Sequence, residues 1–149
     1  MKTGGNGFVG EYAFGVERTT NRALPLILAR EFAANVATPF AVIDDEGALV
    51  FFNERAEEII GESPAELGEL SEEEWRARFS VERRDGTPVA SEDTPSAIAR
   101  REHRPAHGTH VYTTQDGTRR TLSVTATPIL GHGDELVGVM VLFWEVAEE

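Results

Sequence analysis

Leu136-Val137-Gly138-Val139-Met140-Val141-Leu142-Phe143-Trp144 carries no polar side chain at any position. A strand with one face in water alternates apolar and polar residues, whereas a strand covered on both faces reads as a continuous apolar run. The stretch therefore predicts a central strand, about 135–146, in a sheet whose outer face is also covered. Working back along the chain, Leu122, Val124 and Ala126 alternate with Thr121, Ser123, Thr125 and Thr127. That pattern predicts a strand over 118–129 with one buried and one polar face. A third strand is expected over 107–114. Gln115-Asp116-Gly117 and Gly131-His132-Gly133-Asp134 supply the turns between the three.

Upstream, the order changes. Leu24, Leu28 and Phe32, with Ile27 beside them, form one apolar stripe of a helix over about 23–37, which Pro39 ends. Phe40-Ala41-Val42-Ile43 and Leu49-Val50-Phe51-Phe52 flank Asp44-Asp45-Glu46-Gly47-Ala48 and read as a hairpin. The three acids suit turn chemistry better than a metal loop, because the alternate spacing of an EF-hand is missing. Short helices with clear start signals follow. Asn53 caps Glu54–Ile60 with Gly61 as the stop. Ser63-Pro64-Ala65-Glu66 and Ser71-Glu72-Glu73-Glu74 are capping boxes, the second opening a turn that presents Trp75 and Phe79. Thr94-Pro95 starts the helix that runs through Ile98 to Glu102.

Helix, two strands, several short helices and three strands make an α+β domain. It has a five-stranded antiparallel sheet, short helices inserted after strand two and an N-terminal flanking helix. This arrangement resembles the PAS family. The likeness is carried by Phe40–Gly47 running into Phe52-Asn53-Glu54-Arg55-Ala56, and by Arg84-Asp85-Gly86-Thr87-Pro88 followed by Asp93–Arg100. Asp116–Arg120, Ser123–Ile129 and Val137–Val146 complete it, so the resemblance spans 24–146. It implies a sensory module that holds a small ligand or cofactor between helices and sheet. Such a module passes the ligand's state to a kinase, phosphatase or transcription regulator, in cis or in trans. The sequence ends at Glu149, just past the last strand, where a signalling helix of the family would leave. That ending suits either an excised domain or one acting in trans.

Composition sets the outer bounds. The chain has 149 residues, 40% hydrophobic and 27% charged, which suits one globular domain over 23–149 behind a flexible arm at 1–22. The arm holds Gly5-Asn6-Gly7-Phe8-Val9-Gly10, a formal G-x-G-x-x-G with no strand before it, and so no phosphate loop. A net charge of −12 argues against nucleic acid. Residues 54–93 hold 13 acids against 5 bases, a solvated helical flank rather than a docking surface. No apolar run reaches membrane-span length and no leader is visible, so the expected location is the cytoplasm and no membrane partner is expected. With no cysteine there is no disulfide, no thiolate metal site and no cysteinyl bond to flavin or another chromophore.

Residues expected near a ligand pocket are Ile43, Phe52, Ile60, Trp75, Phe79, Ile98, Tyr112 and Met140. Trp75 and Tyr112 stand out because each polar tip needs a partner when buried. The alternative for all eight is plain core packing, which would make the chain an interaction module with a filled interior. The identity of any cofactor stays open: noncovalent flavin is compatible, and haem would need His103 as axial ligand. His103, His107 and His110 have metal-like spacing, but Pro105 and Gly108 break the helix that would align them. No nucleophile–base pair or catalytic motif is visible, so no enzyme activity is expected; a small α+β barrel enzyme would need a buried carboxylate on the sheet. A homodimer is expected, with Leu24, Leu28 and Phe32 meeting Val139, Val141 and Phe143 of the sheet's outer face.

Overall fold

The structure, a computed structural model, describes residues 24–29, 31–32 and 36–147. The expected arm over 1–22 lies outside the described residues. Residues 24–29 and 31–32 are helical (α1). The hairpin follows as β1 (Phe40–Asp44) and β2 (Leu49–Phe52), joined by a turn in which Asp44 Oδ1 accepts from the backbone N–H groups of Glu46 and Ala48. These bonds account for Asp44 as a turn residue. Gly47 closes the turn at φ +91°, a conformation side chains resist.

The short helices are α2 (Glu54–Ile60), α3 (Pro64–Leu67), α4 (Glu72–Arg76) and α5 (Pro95–Glu102). Their starts follow the sequence signals. Asn53 Oδ1 accepts from Ala56 N at 3.0 Å, and the Ser71–Glu74 box is closed in both directions. Asn53 does more than cap. Its Oδ1 also accepts from Phe40 N at 3.1 Å, and its Nδ2 donates to the carbonyls of Val36 and Thr38. One buried amide thus fixes the chain entering β1 to the start of α2. Thr94 departs from the pattern, because its hydroxyl donates back to Ser91 O instead of capping α5.

The C-terminal strands are β4 (Ala106–Thr114), β5 (Arg119–Leu130) and β6 (Leu136–Glu145). A further strand, β3 (Phe79–Glu82), pairs antiparallel with β4, placing Val81 opposite Tyr112. The sheet therefore has six strands in the order β2-β1-β6-β5-β4-β3, where the sequence reading gave five. Phe79 opens that extra strand rather than closing a helical turn. The reason is pairing: an edge strand of four residues gains its ladder bonds from a partner 35 positions along, at Phe79↔Thr114.

Two cores flank the sheet. On the inner face, under α2–α5, Ala41, Ile43, Phe52, Ala56, Leu122, Val124, Val139, Val141 and Phe143 pack together. On the outer face, Phe40, Val42, Ile129 and Val137 are buried with Ala29 of α1, with Leu26, Met140 and Leu142 packed against them. The central strand is covered on both sides, as its composition requires. Two of the sequence assignments to these faces are corrected. Val139, Val141 and Phe143 were expected on the outer face but lie inside. Met140 was expected at the pocket but lies outside. The alternation along β6 is real, and its phase is set by the pairing of Val141 with Ala41 and of Met140 with Val42. A register shift between Ile129 and Leu130 leaves Val137 out of step and turned to the outer side.

Candidate functional site

The inner core is not completely filled. A cavity of about 110 Å³ lies between the helices and the sheet. The sheet supplies its floor: Ala41 and Ile43 from β1, Leu122 and Val124 from β5, Val141 and Phe143 from β6. Ile59 and Ile60 of α2, Trp75 of α4, and Pro95 and Ser96 of α5 form the roof, with Phe79 and Tyr112 at the β3–β4 side. None of these residues carries a charge. Such a lining repels ions and retains apolar matter, since an unpaired charge there would lose its hydration.

Few polar atoms reach this space. The Trp75 indole Nε1 donates to the Gly47 carbonyl at 2.7 Å, so its polar tip is turned to the β1–β2 turn. Burial pushes the Tyr112 phenol up to about 12, against a weaker downward pull from the Arg76 guanidinium. The phenol is thus a neutral hydrogen-bond donor across the ordinary pH range.

A second cavity, about 290 Å³, shares Trp75, Phe79, Ser96 and Tyr112 with the first. Around it are also Arg76, Ser80, Pro88, Ser91 and Thr94, so this outer chamber is more polar. The four shared residues form a neck. Arg76 is the one charged residue around the outer chamber among the described residues. Its guanidinium lies 4.9 Å from the centre of the Trp75 ring, and its Nε donates to Glu72 Oε2 at 3.1 Å. Glu72 also accepts from Arg100 Nη2 at 3.0 and 2.9 Å, so one carboxylate serves two guanidinium groups.

Of the eight expected pocket residues, the structure brings Ile43, Ile60, Trp75, Phe79 and Tyr112 to the cavity wall. Phe52 is buried in the inner core beside it, Ile98 is half-buried on α5 outside the lining, and Met140 faces α1. Sequence reasoning missed Ser96 and Arg76. Ser96 was hidden inside the helix-start signal Thr94-Pro95-Ser96, and Arg76 follows Trp75 where only the aromatic drew notice.

The histidines do not converge. His103 is exposed at the C-cap of α5, and His107 bonds Thr125 Oγ1 through Nδ1 at 2.8 Å. His110 is half-buried on β4, where burial and the Arg83 charge lower its pKa. Among the described residues no cluster of His, Asp or Glu is arranged to hold a metal. Also among them, no helix is long and apolar enough to cross a membrane.

The second feature of note is α1. It rests on the sheet through Leu26 and Ala29, while Leu24, Ile27, Leu28 and Phe32 are 46–60% exposed. The Phe32 ring still meets Phe40 edge-on, with centroids 5.5 Å apart. Of the stripe expected to cover the sheet, Leu24, Ile27 and Leu28 are therefore turned to solvent, and a neighbouring face of the same helix, with the Phe32 ring at its edge, does the covering.

Solved structures share this architecture. The PAS domain of a protein from Colwellia psychrerythraea is 15% identical with a TM-score of 0.58, over 83% of this chain and 98% of that one. The PAS domain of BvgS from Bordetella pertussis is 16% identical with a TM-score of 0.57, over 83% and 87%. The LOV protein of Rhodobacter sphaeroides is 12% identical with a TM-score of 0.63, over 84% and 69%. No curated protein matches the chain. A family model described as the PAS fold matches residues 33–149, which takes in the whole sheet, the helices above it and the cavity between them. The chain belongs to the PAS fold family.

Proposed function

We propose that this domain is a sensory module that binds a small molecule in the cavity between α2–α5 and the sheet and signals through contacts made by α1. The cavity carries this reading: its walls come from three helices (α2, α4 and α5) and from the sheet at once, so an occupant touches both the sheet and the helices above it. Family membership supports a role in signal transduction. The output is a kinase, phosphatase or transcription regulator, linked in cis or met in trans, in the cytoplasm.

The exposed Leu24–Phe32 stripe supports homodimer formation as the route of signalling. Large apolar side chains in a row on one helix are costly to leave in water, at about 1.5–3 kcal/mol for each one fully buried. The stripe equally supports an interaction module that needs no ligand.

Native mass spectrometry of protein purified from its own host separates the two. A bound small molecule released on denaturation is the expected result. A bare polypeptide mass from protein made under several growth conditions would favour the interaction module alone.

A further inference from the structure

Resting on the reading of the cavity as a ligand site, we infer that the occupant is a small amphipathic monoanion: one apolar ring or branched alkyl group joined by a short link to a carboxylate. Three observations lead there. The inner chamber, about 110 Å³, is close to the roughly 150 Å³ at which a dry apolar cavity takes a benzene ring. A single ring or a branched chain of similar bulk is therefore its limit. A fused three-ring system does not fit that volume. Its lining holds no charge, so the part inside is apolar and neutral.

The neck and outer chamber supply the other end. Ser96 and Tyr112 stand at the neck with hydroxyl groups, and Tyr112 keeps its proton and so donates. Just beyond lies Arg76, the charged residue of the outer chamber among the described residues. Its partner Glu72 is shared with Arg100, so that carboxylate is divided between two guanidinium groups. A carboxylate there would meet a neutral donor and a guanidinium that binds a shared carboxylate through its Nε, the pairing that gives short, strong hydrogen bonds. A neutral amide of the same shape would gain the ring's burial but not the charge.

The test uses the full chain and three probes: phenylacetate, its neutral counterpart phenylacetamide, and acetate, which lacks the ring. Calorimetric titration should show phenylacetate binding about tenfold or more tightly than phenylacetamide, the usual scale of a charged hydrogen bond, with acetate weakest. Arg76→Met should erase the preference and Arg76→Lys should keep most of it. Raising salt from about 0.05 M to about 0.5 M should weaken phenylacetate and leave phenylacetamide unchanged, a readout that needs no variant. Val124→Trp, which fills the chamber floor, should abolish binding of both ring compounds.

Equal affinity for phenylacetate and phenylacetamide would overturn the anion assignment and leave the cavity reading standing. Failure of both ring compounds to bind, or binding that survives Val124→Trp, would overturn the cavity reading with it. Acetate binding as tightly as phenylacetate would show a surface ion site and sink the proposal.

Discussion

The indole Nε1 of Trp75 and the carbonyl of Gly47, 28 residues apart in sequence, are joined by a hydrogen bond of 2.7 Å. One end of that bond is a cavity wall and the other is the turn between β1 and β2. Trp75→Phe keeps an aromatic ring and removes the donor. The expected loss is about 1 kcal/mol, the net worth of a typical hydrogen bond, seen as a drop of about 2–4 °C in Tm by calorimetry. An unchanged Tm would mean that the bond contributes nothing beyond ring packing.

Asn53 offers a sharper case, because its buried amide serves both the start of α2 and the chain entering β1. Asn53→Ala should cost about 2–4 kcal/mol, more than the roughly 1 kcal/mol of an ordinary cap. Asn53→Asp keeps the acceptor but sets a carboxylate against the carbonyls of Val36 and Thr38. It should be nearly as damaging at neutral pH. Urea unfolding of the two variants checks this, and a cost near 1 kcal/mol for both would reduce Asn53 to a simple cap.

Tyr112 predicts a pH dependence. Its phenol is raised from 10.0 to about 12, so between those values the folded state holds a proton the unfolded chain has lost. Stability is then full below about pH 10 and falls as pH rises toward 12. The loss over that window is on the order of 2–3 kcal/mol. Tyr112→Phe should flatten the decline, and the ultraviolet step of phenolate formation near pH 12 should vanish with it. Since the chain holds two tyrosines, only a folded protein in which both titrate fully by about pH 10.5 would contradict the burial of this hydroxyl.

Assembly is tested at Leu28, which is 60% exposed on α1 and contributes nothing to the sheet core. Leu28→Glu should leave the monomer's melting temperature within about 2 °C while abolishing dimerisation, since surface substitutions rarely exceed 0.5 kcal/mol. Sedimentation of both proteins at micromolar concentration decides it. A wild-type monomer would end the dimer proposal. A dimer that survives the charge would move the interface elsewhere.

What the sequence made legible was local. The Asn53 and Ser71 caps, the Asp-Gly turns and the three long strands all announce themselves within a few residues. β3 did not, because Phe79-Ser80-Val81-Glu82 follows α4 directly and its alternation becomes meaningful only beside β4. Which face of α1 meets the sheet was not legible for a different reason. Leu24, Leu26, Ile27, Leu28 and Ala29 make the helix apolar nearly all round, and periodicity cannot choose a face when most positions qualify. The same degeneracy hid the phase of β6: a run without polar residues gives no clue to which half of it points inward. Of the five expected residues that reach the cavity wall, Trp75 and Tyr112 are marked out in the sequence by a polar tip, whereas Ile60 is indistinguishable there from Ile59 beside it. Ser96 and Arg76, both ordinary in their local context, become notable only once the chain is folded.

Strand β6 has one further property that follows from its two covered faces. Val141 forms part of the cavity floor, and Met140, its neighbour in the chain, packs in the outer core with α1. The partition between the interior and the helix-bearing surface is therefore a single backbone thick. A displacement of the floor would have one peptide link to cross to reach the far side, with no chain of intermediate side chains between. The path between the two faces is one peptide link long.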